Sequence, residues 1–138
     1  MQLEIAALAD CANVTADGKL NIMGVFDEIS APKFPALHPF MVLVVRLRLD
    51  FEDGGRSHEL SVAMEDEDGR QVFKADSHVP TQAIAAGASA HVNQVLNFAS
   101  IGFREPGHYI FQLRWNGSDL GRVRLTIKAI PAGPDQSK

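Results

Sequence analysis

Five histidines, one cysteine and two groups of acids are the residues of this chain best suited to chemistry. His38, His58, His78, His91 and His108 are separated by 20, 20, 13 and 17 residues, spacings that fit no metal motif. Strands can still bring distant residues together, but scattered histidines are expected at surfaces and edges. Cys11 sits in Asp10-Cys11-Ala12-Asn13 with no local histidine to raise its thiolate fraction. A single thiol closes no intramolecular disulfide, so Cys11 is expected to be a small buried hydrophobe in a reducing compartment. No Gly-x-Ser-x-Gly nucleophile elbow and no phosphate-binding glycine loop occurs.

The acids form turns. In Asp66-Glu67-Asp68-Gly69, placing the glycine sixth in a calcium loop puts Met64 first and Ala75 twelfth, where oxygen donors belong. A second group, Asp50, Glu52 and Asp53, stands at the other end of the run His58–Glu65. At about 3.3 Å per residue the two groups are about 25 Å apart and cannot share an ion. Both read as solvated turns, and no metal or cofactor is expected.

The cations are more informative. Residues 50–68 hold eight acids and one base, net −7, while residues 104–138 hold six bases and three acids, net +3. Arg46, Arg48, Arg114, Arg122, Arg124 and Lys128 all fall at outward positions of runs that alternate apolar and polar residues. An immunoglobulin-like topology with 41–51, 109–115 and 122–130 in one sheet, flanked by 58–65, predicts that these six share one exposed face. Such a face could dock an acidic protein or a second copy of the chain. Cross-strand pairing of Arg46 and Arg48 with Glu59 and Glu65, at roughly 0.2–1 kcal/mol per pair, would neutralise part of it. The alternative is a small-ligand or enzymatic site built from Asp10, Asn13, Asp27 and His38. A concave pocket joining those four would favour it over a flat docking face.

The elements that must position these residues are strands. Turn signals at Asp17-Gly18, Asp53-Gly54-Gly55, Asp68-Gly69, Pro106-Gly107 and Asn116-Gly117 separate runs of period two. No window of 11 or more residues carries a helical stripe. Eight strands are predicted: Leu3–Ala9, Leu20–Ile29, Met41–Phe51, His58–Glu65, a short Arg70–Ala75, Val92–Ile101, Tyr109–Trp115 and Val123–Ala129. In the first, Leu3, Ile5, Ala7 and Ala9 are expected to share a face. In the third, Met41 to Phe51 at odd positions are expected inward. The stretch Ala31–Pro39, with three prolines, reads as a connection. Cross-strand partners must face the same way. Phe111 is therefore expected opposite Val123 and Tyr109 opposite Leu125, through a three-residue Asn116-Gly117-Ser118 loop.

Gly107-His108-Tyr109, opening the penultimate strand, resembles the tyrosine corner of immunoglobulin-like sandwiches, where the hydroxyl bonds back to upstream backbone. More specifically, Leu8-Ala9-Asp10, the run Gly18 to Asp27, His38-Pro39, Asp66 to Gly69 and Pro106-Gly107-x-Tyr109 resemble a bacterial family of small uncharacterised proteins. The likeness covers nearly the whole chain. It implies a bacterial origin and an all-β, immunoglobulin-like antiparallel β-sandwich, and it assigns no activity.

Length and composition bound the rest. The 138 residues, 46% hydrophobic and 22% charged, suit one folded domain, expected over residues 1–130 with a frayed tail at 131–138. The longest apolar run, Phe40–Val45, falls far short of the roughly 18–20 residues that span a bilayer. No secretory leader is recognisable, so a cytoplasmic location is expected. A net charge of −4 and the inward aromatics argue against a nucleic-acid partner. The expectation is a non-enzymatic binding module.

Overall fold

A strand that alternates apolar and polar residues can hide one face only against another sheet, and this chain builds two. A computed structural model describes residues 1–131. Its strands are β1 (Gln2–Val14), β2 (Leu20–Phe26), β3 (Glu28–Ala31), β4 (Ala36–Leu49), β5 (Ser57–Glu65), β6 (Gln71–Pro80), β7 (Ala90–Phe103), β8 (Gly107–Trp115) and β9 (Ser118–Ala129). One sheet has the order β2-β1-β4-β7 and the other β3-β9-β8-β5-β6. All neighbours are antiparallel except β3 and β9, which are parallel. The class is all-β, as expected. The tail beyond Pro131 lies outside the described residues.

The core lies between the sheets. Met41, Leu43, Val45, Leu47 and Leu49 of β4 meet Leu60, Val62 and Met64 of β5, Phe111 and Leu113 of β8, and Leu125 and Ile127 of β9. Phe73, Phe98 and Phe111 pack with ring centroids 5.0–6.1 Å apart. A second, smaller cluster forms outside the first sheet. The β1–β2 hairpin curls over its own sheet, and the Gly18 carbonyl at its tip accepts from Asn93 on β7 at 3.2 Å. Ala12, Leu20 and Ile22 thereby cover Ala9, Val42 and Val44, so β4 is apolar on both faces.

Several expectations change, each for a local reason. Nine strands lie among the described residues, because Leu20–Ile29 is not one strand. Phe26 pairs with Leu8 in the first sheet, and Glu28 pairs with Thr126 in the second. Asp27 alone makes the crossing. In β1 an extra residue, Glu4, shifts the register, and Leu3, Ala6 and Leu8 face the core instead of Leu3, Ile5, Ala7 and Ala9. Strand β4 starts at Ala36, inside the expected connection, and contains Pro39. Proline is tolerated there because β1 pairs with β4 only over Arg48–Val42, leaving that end of β4 with β7 alone. Opposite it, Ser100 takes a left-handed φ of 55°. Across Ser100 the inward residues of β7 change from Leu96 and Phe98 to Ile101 and Phe103. Phe51 ends outside β4 in a single 3-10 turn and is 58% exposed. Strand β6 runs to Pro80, well beyond Ala75.

The β8–β9 hairpin keeps its expected pairs, Phe111 with Val123 and Tyr109 with Leu125. Its loop is shorter than expected. Asn116 and Gly117 alone make the turn, both with positive φ (50° and 82°), and Trp115 faces Ser118. Leu120 is then an extra residue on β9 and restores the inward parity.

Two side chains depart from their expected places, Cys11 from the interior and His58 from the surface. Cys11 is exposed, opposite Met23. His58 is 2% exposed and stacks on Trp115, with centroids 4.6 Å apart. Its Nε2 donates to the Asp53 carbonyl at 2.7 Å and its Nδ1 accepts from the Asn116 amide at 2.9 Å. The Asn116 side-chain oxygen in turn accepts from the Glu59 N–H at 2.9 Å, which fixes the amide's orientation and hence the histidine tautomer.

The tyrosine corner is present: the Tyr109 hydroxyl donates to the Glu105 carbonyl at 2.9 Å. Burial pushes this hydroxyl above the usual phenol range, and the carboxylates of Glu105, Asp66 and Glu67 add to the rise. The unfolded chain releases the proton first. Stability is therefore whole below about pH 10 and falls as pH climbs through the higher folded value. Tyr109→Phe is expected to lower unfolding free energy by about 1 kcal/mol in chemical denaturation at neutral pH. That gap should narrow above about pH 10, where only the wild type carries the ionising group.

Candidate functional site

The inward parity of β8 and β9 decides what their other face carries. With Tyr109, Phe111, Leu113, Leu125 and Ile127 inside, Arg114, Arg122, Arg124 and Lys128 point out from the five-stranded sheet. Four of the six expected cations therefore share a face. Arg46 and Arg48 do not. Strand β4 pairs with β1 and β7, not with β5, and lies in the other sheet. The proposed fold-back of 41–51 onto 58–65 is replaced by a crossing between sheets through Asp50–Arg56. Arg46 instead donates to Glu4 at 3.1 Å and to Asn93 at 2.9 Å, and Arg48 stands 3.9 Å from Asp50. Glu59 and Glu65 are left on the arginine face without those partners.

Within the face, charges are unevenly matched. Lys128 pairs with Glu28 of β3 at 3.1 Å. Among the described residues no carboxylate lies within ion-pair distance of Arg114, Arg122 or Arg124, and all three are exposed. Arg114 has Asp119 opposite it, but that carboxylate takes the Gln112 amide, and for Arg122 and Arg124 register explains the gap. Arg124 is opposite Ile110, and Ile110 is opposite Glu65. Two strand spacings, about 10 Å, separate the charged positions. Between Arg122 and Ala63 lies Gln112, which is buried and donates its amide to Asp119 and to the Gly121 carbonyl. A recess of about 130 Å³ beside it is lined by Ser61, Glu65, Lys74, Gln112 and Arg114.

The alternative residues are spread along the first sheet. Asp10 lies so close over Gly24, which has a φ of +73°, that a side chain there would collide with its carboxylate. Asn13 is tied to Asn21 at 2.9 Å near the hairpin tip. Asp27 is the crossing residue, its carbonyl accepting from Thr126 N–H at 2.9 Å. His38 packs on Phe26 with centroids 5.9 Å apart, and its buried Nε2 has no hydrogen-bond partner. None of the four lines the recess beside Gln112 or the cavity at the tyrosine corner.

One of those cavities went unnoticed in the sequence. A space of about 400 Å³ at the tyrosine corner is lined by Asp66, Arg70, Arg104, Glu105 and Tyr109. Arg70 and Arg104 belong to different turns, and only the folding of the two sheets brings them together. The neighbouring acids are engaged: Asp66 accepts from the N–H groups of Asp68 and Arg70 at 3.0 and 2.9 Å, and Glu67 from His108 N–H at 2.7 Å.

A family model matches residues 4–128, nearly the whole described fold. The chain belongs to DUF6941, a family of unknown function. No curated protein matches this DUF6941 sequence. A solved structure of Pseudomonas fluorescens alkylpurine DNA glycosylase AlkC, bound to DNA containing an abasic site analog, is similar over 75% of this chain and 28% of that one. Its identity is 16% and its TM-score 0.43, too distant to bear on nucleic-acid binding. No helix among the described residues of this DUF6941 member is long and apolar enough to cross a membrane.

The Glu28–Lys128 pair offers a direct handle on the face. Glu28→Ala should change stability by less than about 1 kcal/mol, as exposed pairs do. It should also free a fourth cation and raise the affinity of the sheet for a polyanionic peptide, measured by fluorescence anisotropy at low salt.

Proposed function

We propose that this chain is a binding module and not an enzyme, and that the outer face of its five-stranded sheet meets an acidic protein surface. The observation that carries this is the cluster of Arg114, Arg122 and Arg124, exposed on rigid strands without carboxylate partners among the described residues. Guanidinium groups held in this way present a positive field and several donors to a carboxylate-rich surface. A second copy of the chain, with its own acidic turns, satisfies the same chemistry. Neither nucleic acid nor a membrane is invoked, since the chain is net negative and no aromatic interleaves the arginines. The reading takes residues 1–130 as one immunoglobulin-like domain acting in the bacterial cytoplasm, with an unpaired thiol in keeping with a reducing environment.

The competing reading, a small-ligand site at Asp10, Asn13, Asp27 and His38, is supported by one atom, the unpartnered Nε2 of His38. It ranks second because Asn13 is committed to Asn21 and Asp10 to the surface beside Gly24.

Arg114→Glu combined with Arg124→Glu tests the first reading. Poly-glutamate should bind the wild type at low salt, weaken as salt screens the face, and fail to bind the double variant. Arg46→Glu with Arg48→Glu, on the other sheet, should leave binding intact. Equal binding by all three proteins removes the arginine face as the site. Mass in solution, unchanged between wild type and the Arg114/Arg124 variant at every salt concentration, removes self-association.

A further inference from the structure

We propose that the free edge of β9 beside Arg122 and Arg124 is a strand-addition site for an extended acidic peptide. This rests on the arginine-face reading and specifies its partner. Strand β3 accompanies β9 only over Thr126–Ala129. Upstream the chain departs at Asp27 for the other sheet, where Phe26 pairs with Leu8. The first bond of the β3–β9 ladder runs from Thr126 N–H to the Asp27 carbonyl.

Strand residues two apart aim their backbone groups to the same side. The N–H and C=O groups of Arg124 and Arg122 therefore point where those of Thr126 do, toward the space that β3 leaves empty. Odd residues point the other way: the Gly121 carbonyl accepts from Gln112 on β8 at 3.3 Å. Among the described residues no strand pairs with β9 on that side between Ser118 and Leu125. The sheet beneath is open at the same corner, because β2 pairs only with Leu8–Val14 of β1.

The side chains define the occupant. Arg122 and Arg124 are exposed on the outer face, and Val123 between them is half-buried on the inner one. A strand laid along this edge would set alternate residues beside the arginines and the others beside Val123. The peptide that fits is extended, with carboxylates at every second position and apolar residues between. The same arginines repel the β9 edge of a second copy, as edge charges commonly do, so two copies do not join β9 to β9 here.

The test uses the full chain, labelled with ¹⁵N, and a short capped peptide alternating glutamate and valine. Its control carries the same charges but is N-methylated along one edge, which removes backbone donors. The expected result is slowed amide exchange at Arg122 and Arg124 with the first peptide, and about tenfold weaker binding of the control. Equal binding of the control, or protection mapping to β6 or β7, overturns strand addition while the arginine face stands. Binding of neither peptide, or undiminished binding to the Arg122→Glu/Arg124→Glu variant, overturns both readings. These substitutions are at exposed positions, and an unchanged circular dichroism spectrum confirms that the variant is folded.

Discussion

Two apolar faces must stay in contact along strands that do not run straight, and most irregular features of this molecule follow from that constraint. Turning one large side chain away from the core would forfeit about 1.5–3 kcal/mol, and a strand slipped by one residue turns all of them. A bulge sacrifices at most a ladder bond or two, at about 0.5–1.5 kcal/mol each. The chain accordingly accepts an extra residue at Glu4 and another at Leu120. At Ser100 it accepts a left-handed residue. At each place the apolar set changes from odd to even positions, or back, and the core is unbroken across the change.

The arginine face is the outward image of that inward order. Once Phe111 and Leu125 are committed to the core, Arg114, Arg122 and Arg124 have no choice of side. For Arg122 and Arg124 the lack of partners is also a matter of register, since Gln112 and Ile110 occupy the positions between them and β5, while Asp119, opposite Arg114, takes the Gln112 amide instead. The opposite arrangement holds on the other sheet. There Glu4, pushed out by its own bulge, meets Arg46 and also stands 3.2 Å from His91. The two sets of cations come from similar alternating sequences and end in unlike surroundings.

This contrast marks how much was legible beforehand. Phe111 opposite Val123 and Tyr109 opposite Leu125 followed from parity, because only one pairing buries no charge, and the Tyr109 corner followed from Gly107-His108-Tyr109. The sheet to which β4 belongs did not follow. Met41–Leu49 is equally apolar whether its neighbour is β5 or β1, and alternation says which face is dry without saying which strand lies alongside. The six-cation face failed on that point alone, losing Arg46 and Arg48. The burial of His58 depended on Asn116, distant in sequence, supplying the donor that a lone histidine lacks. The cavity holding Arg70 and Arg104 likewise needed the β5–β6 turn to meet the turn that crosses from β7 to β8.

The parallel ladder of β3 and β9 has a consequence for the order in which the molecule assembles. Glu28 and Thr126, its first partners, are 98 residues apart. Closing so long a loop costs entropy before any contact rewards it, and such pairings form slowly. During synthesis the Glu28–Ala31 segment emerges before its neighbour and waits while β4 to β8 are made. Until then its backbone donors and acceptors, and the edge of the sheet it will complete, are open to any passing strand. A chaperone that held this short segment would be guarding a seam that is slow to close.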